Sequence, residues 1–157
     1  MTTIAHAISG SFIAIAATNT LPLETGYVAL ALVSASFMDI DHVVSILKNK
    51  KFYRENGWRG NLHNARTFLH ELAGFFVIGA TALAISFIDL KAAMIFGIAA
   101  MVHLTEDIIM GISIPFGPFR KMQINLVPQK AKLKIFADVL VISFFSFLWL
   151  AYLNGTN

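Results

Sequence analysis

His103 and Asp107 stand four residues apart, and Asp39 and His42 stand three apart. Either spacing places both side chains on one face of a helix. Imidazole nitrogen and carboxylate oxygen together form a donor set suited to Zn²⁺, Mn²⁺ or Fe²⁺. There is no cysteine, so a thiolate site is excluded and a bound metal must be held by nitrogen and oxygen. Asp41, beside His42, and His70 add two more groups of the same chemistry, and His6 a third. Helices that each offer one or two such side chains are how carboxylate metal sites are built in helical bundles.

The elements that would position these groups are apolar. Of the 157 residues, 57% are hydrophobic and only 13% charged, and the mean hydropathy is +0.69. Soluble domains carry about 25% charged residues. This chain has too few charges to make a water-facing skin, and lipid is the simple alternative. The N-terminal segment has no basic region ahead of its apolar run, so it does not read as a removable signal peptide. Five apolar stretches are expected as membrane spans: about 3–17, 25–47, 67–88, 91–114 and 133–153. The first is short against the roughly 20 residues a crossing needs. Between them lie turn and loop residues, including Asn19 and Pro22, the 88–91 turn, and a segment carrying Pro115, Gly117, Pro118 and Pro128. Small residues recur in the third and fourth stretches, Gly74, Gly79, Ala80, Gly97, Ala99 and Ala100, as close helix packing in lipid favours. The expected fold is all-α: a polytopic bundle of about five spans forming one integral-membrane domain over residues 1–157.

Charge orients it. The 48–66 segment holds six basic residues and one acid, and the 115–134 segment holds five basic residues and no acid. Eleven of the 12 basic residues thus fall on one side of a five-span arrangement, leaving only Lys91 opposite. Basic loops mark the cytoplasmic side, which puts the N-terminus inside and implies a multi-pass protein of the inner, cytoplasmic membrane. The basic loops do not interleave aromatic residues in a stacking pattern. They suit anionic headgroups, so membrane lipid is the expected partner and no nucleic acid is expected.

Burying an ionisable side chain in a membrane costs on the order of 2.5–3.5 kcal/mol at a helix centre. Even so, Asp39, Asp41, Glu71, Glu106, Asp107 and Asp138 lie inside the stretches, with His6, His42, His70 and His103. In the expected topology all fall in the cytoplasmic half. A metal would offset the burial of the acids by neutralising them directly. Some have simpler roles. Asp138, read as first-turn, suits its own helix dipole. Glu71 reads as a helix cap or the partner of a loop arginine. Glu106 points away from the His103 face, toward a basic loop. His63 reads as a solvated loop histidine.

These motifs resemble the family of predicted membrane-bound metal-dependent hydrolases, also described as LexA-binding, inner-membrane-associated hydrolases. The resemblance runs from about His6 to Phe119. It is carried by His6-Ala7-Ile8-Ser9-Gly10, by Met38-Asp39-Ile40-Asp41-His42, by Arg66-Thr67-Phe68-Leu69-His70, and by His103-Leu104-Thr105-Glu106-Asp107 followed by Gly111 and Pro115-Phe116. Met38 replaces a proline of the family pattern, Ala65 a histidine and Leu69 a threonine. The resemblance implies a metal-dependent hydrolase of a lipid or lipid-like ester or phosphoester at the cytoplasmic face. Metal ligands are then expected at His6, Asp39, His42, His70, His103 and Asp107, holding one or two divalent ions, zinc ahead of manganese or iron. Asp41 would orient a ligand histidine or serve as general base. Arg66, with Arg120, would clamp a phosphate. The alternative is a non-enzymatic metal-binding or structural membrane protein.

Overall fold

The computed structural model describes residues 1–20, 23–40, 47, 50–51, 68–113, 124–128 and 130–155. Among them are five α-helices: α1 Thr3–Ala17, α2 Thr25–Ser36, α3 Leu72–Ser86, α4 Leu90–Met110 and α5 Ala131–Asn154. Two 3₁₀ turns, Phe37–Asp39 and Phe68–His70, follow α2 and precede α3. A two-residue antiparallel pair joins Ile112 to Asn125 and Ser113 to Ile124. The all-α expectation thus stands, with this pair as its only sheet among the described residues.

Length separates the helices. α4 and the Lys132–Asn154 stretch of α5 are long and apolar enough to cross a membrane. α1, α2 and α3 have 15, 12 and 15 residues. At about 1.5 Å per residue they reach roughly 18–23 Å, short of a hydrocarbon core of about 30 Å. The expected second and third stretches were longer because their apolar runs continue past the helix ends. The α-helix of the second gives way at Phe37, and that of the third starts only at Leu72. Asp39 and His70 therefore sit in tight turns at helix ends and not within regular α-helix.

α4 lies against α1, α2 and α3, and α1 also packs on α2 and α5. The α1–α2–α4 core is Ala14, Ile15, Ala31, Ala35, Ile95 and Ala99. Small side chains let these backbones approach closely. A Cβ on Gly10 would stand 2.8 Å from the Ala35 Cβ and 3.1 Å from the Ala99 carbonyl oxygen. A second cluster, Met38, Ile78, Ala100 and Leu104, joins α3 to the other side of α4. Gly97 faces Ala82 across that seam, whereas a Cβ added at Gly79 would meet nothing within 4 Å.

The ends of the bundle differ in chemistry. At one end, Tyr27 donates to Asp89 Oδ2 at 3.0 Å and Lys91 lies 4.9 Å above the Tyr27 ring, tying α2 to α4. Asp89 also caps α4, accepting from the Ala92 amide. That backbone hydrogen bond, with the Tyr27 hydroxyl, holds its carboxyl below the usual range. The start of α1, the end of α2, the start of α3 and the end of α4 meet at the opposite end, because the helices alternate in direction along the chain. α5 packs on α1 through Phe12, Phe145, Trp149 and Tyr152. Its far side exposes Phe136, Val139, Leu140, Phe144, Phe147 and Leu150.

Asp138 corrects an expectation. α5 begins at Ala131, so Asp138 lies two turns in, beyond the reach of its own helix dipole. Its Oδ1 instead accepts from the Thr2 amide at 3.1 Å. The helix end it serves is that of α1.

Candidate metal centre

His6 comes from the first turn of α1, and His103 and Asp107 from the last two turns of α4. Asp39 ends the turn after α2, and His70 ends the turn before α3. The helix ends bring His6, His103 and Asp107 to this point, and the two 3₁₀ turns add Asp39 and His70. His6, His70 and His103 are all 0% exposed and Asp107 is 3% exposed.

One donor atom each from His6, Asp39, His103 and Asp107 lies within 4.8 Å of the others. Two such donors on opposite sides of one ion, each at about 2.1 Å, would be about 4.2 Å apart, so the group can close on a cation with little movement. Asp107 is the hub. Its Oδ1 lies 3.3 Å from His6 Nε2, and its Oδ2 lies 3.6 Å from His70 Nε2 and 3.7 Å from His103 Nε2. Asp39 Oδ1 stands 3.7 Å from His103 Nε2. The Met1 ammonium lies 3.6 Å from Asp107 Oδ1. The His6 and His103 rings stack at 4.0 Å between centroids.

Two of the histidines are fixed from behind. His103 Nδ1 lies 2.6 Å from the Ala35 carbonyl oxygen. A carbonyl only accepts, so Nδ1 carries a proton, and Nε2 faces Asp39 and Asp107. His6 Nδ1 lies 2.7 Å from Glu106 Oε2, so this ring too has an acceptor behind it while its Nε2 faces Asp107 Oδ1. Both Nε2 atoms are buried and make no hydrogen bond. Lone pairs and carboxylate oxygens facing each other in a closed space repel unless a proton or cation lies between them. Metal-ligating histidines typically donate their other ring N–H to a carboxylate or a backbone carbonyl, which is the pair of acceptors found here. The donor chemistry and the two buried nitrogens therefore fit a divalent ion.

Of the expected ligands, His6, Asp39, His70, His103 and Asp107 are brought together. His42, with the expected catalytic residues Asp41 and Arg66, lies outside the described residues, as do His63 and Arg120. The expectation for Glu106 is corrected. Its side chain does not turn away to a loop but reaches His6, 100 positions earlier. Asp107 and Glu106 flank His103 on either side of its face, so a site open toward both α1 and the α2–α3 side takes in both acids. Glu71 sits at the cap position of α3 yet makes no capping hydrogen bond with its side chain. It accepts from Ser113 Oγ at 2.5 Å, both residues being buried. No sequence spacing signals the Ala35 carbonyl or Ser113.

Glu106→Gln keeps the size of the side chain but removes the charge behind His6. We expect metal affinity to fall about 10–100-fold with the fold intact. Competition against a chelator measures this directly, and an unchanged affinity would remove Glu106 from the site.

The model of the YdjM inner membrane protein family matches residues 1–155. No curated protein and no solved structure matches the chain.

Proposed function

Because the chain belongs to the YdjM inner membrane protein family, we propose that it is a membrane-embedded, metal-dependent hydrolase of a lipid or lipid-like ester or phosphoester at the cytoplasmic face. The observation that carries this reading is the convergence of His6, Asp39, His103 and Asp107 within 4.8 Å at one end of the helices. A divalent ion held there would supply Lewis acidity and an activated water near neutral pH.

The chain's own residues do the rest. Ala35 and Glu106 hold the rings of His103 and His6 in the orientation that presents Nε2. His70 presents Nε2 to the same carboxylate. We assign Asp41, two positions after Asp39, as general base or orienting acid, and Arg66, four positions before His70, as the clamp on a phosphate. Zinc is the proposed ion, ahead of manganese or iron.

The proposed topology has all five helices in the membrane with the N-terminus inside. The positive-inside rule supports it, since the basic segments at 48–66 and 120–134 adjoin the helix ends where the site lies. It would put the ligands near the headgroup plane, at the depth of a lipid ester. Short helices such as α2 and α3 are compatible with that depth when their capping turns are covered by protein.

The test is turnover by detergent-purified, metal-loaded protein. Release of product from phospholipids or isoprenoid phosphates, abolished by His103→Ala, is expected. Full metal occupancy with no turnover across both classes would sink the hydrolase reading and leave a metal-binding membrane protein.

A further inference from the structure

Resting on the metal reading above, we infer that Glu71 and Ser113 are positioning residues of the metal centre. Their hydrogen bond ties the turn that carries His70 to the chain that leaves Asp107. Ser113 Oγ donates to Glu71 Oε2 at 2.5 Å, across 42 positions. Glu71 is 7% exposed and Ser113 1%. Neither belongs to the donor group of His6, Asp39, His103 and Asp107. A carboxylate buried this far needs a donor, and a hydroxyl bonded to an ionised oxygen makes a short, strong contact. The dipole of α3 favours an acid at its start. That accounts for a carboxylate at Glu71 but not for its bond to Ser113, since the side chain makes no capping hydrogen bond.

Glu71 directly follows His70, and Ser113 lies six positions after Asp107. The same two segments therefore meet twice. His70 Nε2 stands 3.6 Å from Asp107 Oδ2, and one residue on, Glu71 meets Ser113. Each segment is held beyond that contact. The Glu71 carbonyl accepts from the Gly74 amide at 2.8 Å, and a Cβ at Gly74 would strike the Leu69 carbonyl oxygen, so the turn sits hard against the start of α3. On the other side the Gly111 amide donates to the Asp107 carbonyl at 2.9 Å, and Ile112 and Ser113 pair with Asn125 and Ile124. A three-residue 3₁₀ turn has poorer hydrogen-bond geometry than an α-helix, so the place of His70 depends on what fixes the residues beside it. The bond to Ser113 fixes them relative to the end of α4.

Zn²⁺ affinity of the full chain in detergent, read by chelator competition, tests the inference through a double-mutant cycle. Ser113→Ala is expected to weaken binding about 10-fold, the low end for a residue that acts through a ligand. In the His70→Ala background the same substitution is expected to cost nothing, because Ser113 acts through His70. A loss of equal size in both backgrounds marks a merely structural bond and overturns the inference, as does an unchanged affinity in Ser113→Ala. Glu71→Gln is the gentler second variant, decisive where Ser113→Ala fails to fold. It keeps the size and an acceptor oxygen but removes the charge that roughly doubles the bond's strength, so about a 3-fold loss is expected. That loss too is expected to vanish with His70→Ala, whereas one that persists is a through-space charge effect and overturns the inference. Where His70→Ala retains no metal, the Co²⁺ absorption spectrum of Ser113→Ala, or of Glu71→Gln, decides: a band pattern shifted from wild type is expected, and an identical one overturns the inference. Wild type that retains no metal overturns the metal reading along with it.

Discussion

Asp107→Ala is expected to abolish metal-dependent stabilisation, and hydrolysis with it. Asp107 meets three histidines with its two oxygens, so its loss removes the one group common to the whole cluster. A ligand that binds only the native state stabilises it by about 2.7 kcal/mol at 100 times its dissociation constant. Wild type should gain on that order when Zn²⁺ or Mn²⁺ is added to chelator-treated protein, and the variant should gain nothing. Thermal unfolding in detergent, with and without the ion, gives the four values needed. Comparing gains within each protein separates metal binding from any change the substitution makes to the metal-free fold. Asp107→Ala that still rises with added ion as wild type does would show that the ligands lie elsewhere.

Gly74→Ala is expected to be the most damaging small substitution in α3. A Cβ at Gly74 would lie 1.9 Å from the Leu69 carbonyl oxygen and 2.9 Å from Leu104 Cδ1. Backbone cannot yield as a flexible side chain does. The Phe68–His70 turn would have to move, carrying His70 with it and pulling against the hydrogen bond from the Gly74 amide to the Glu71 carbonyl. Overpacking a close contact costs typically about 1–3 kcal/mol and sometimes more, and we expect at least about 3 kcal/mol here. Gly79→Ala, five residues on in the same helix, is the control. Nothing lies within 4 Å of its added Cβ, so stability should hold or rise slightly, as replacing a mid-helix glycine by alanine usually gives. Equal unfolding temperatures for the two variants would show that the 68–71 turn is not packed on α3 as described.

Both substitutions act at the same end of the helices, and that end was the legible part of the site. His6, Asp39, His70, His103 and Asp107 are costly in lipid and fall on one side of an alternating helix arrangement, so their placement together follows from hydropathy and spacing alone. The i, i+4 pair on α4 is local geometry and survives any packing. Less legible were the helix ends. An apolar run says where lipid or core can cover a chain, not where the hydrogen-bonding pattern changes, so Asp39 and His70 read as parts of helices when they sit in 3₁₀ turns. Asp138 was misplaced for a related reason. Its helix starts in the basic, polar stretch at Ala131, ahead of the apolar run that marked it.

Composition, the length of the apolar segments and the sidedness of the basic residues by themselves pointed to an all-α membrane-type chain with His6, Asp39, His70, His103 and Asp107 at one end. Tertiary structure alone decided how those groups face one another. Glu106 finds His6 across 100 residues, the Ala35 carbonyl accepts from His103 Nδ1, and the two oxygens of Asp107 lie near different histidines. None of this has a local signature. A backbone carbonyl is present at every position, and which one meets an imidazole depends on how near α1, α2 and α4 can come. That distance is set by Gly10 and Ala35, where a single added methyl group would hold the helices apart.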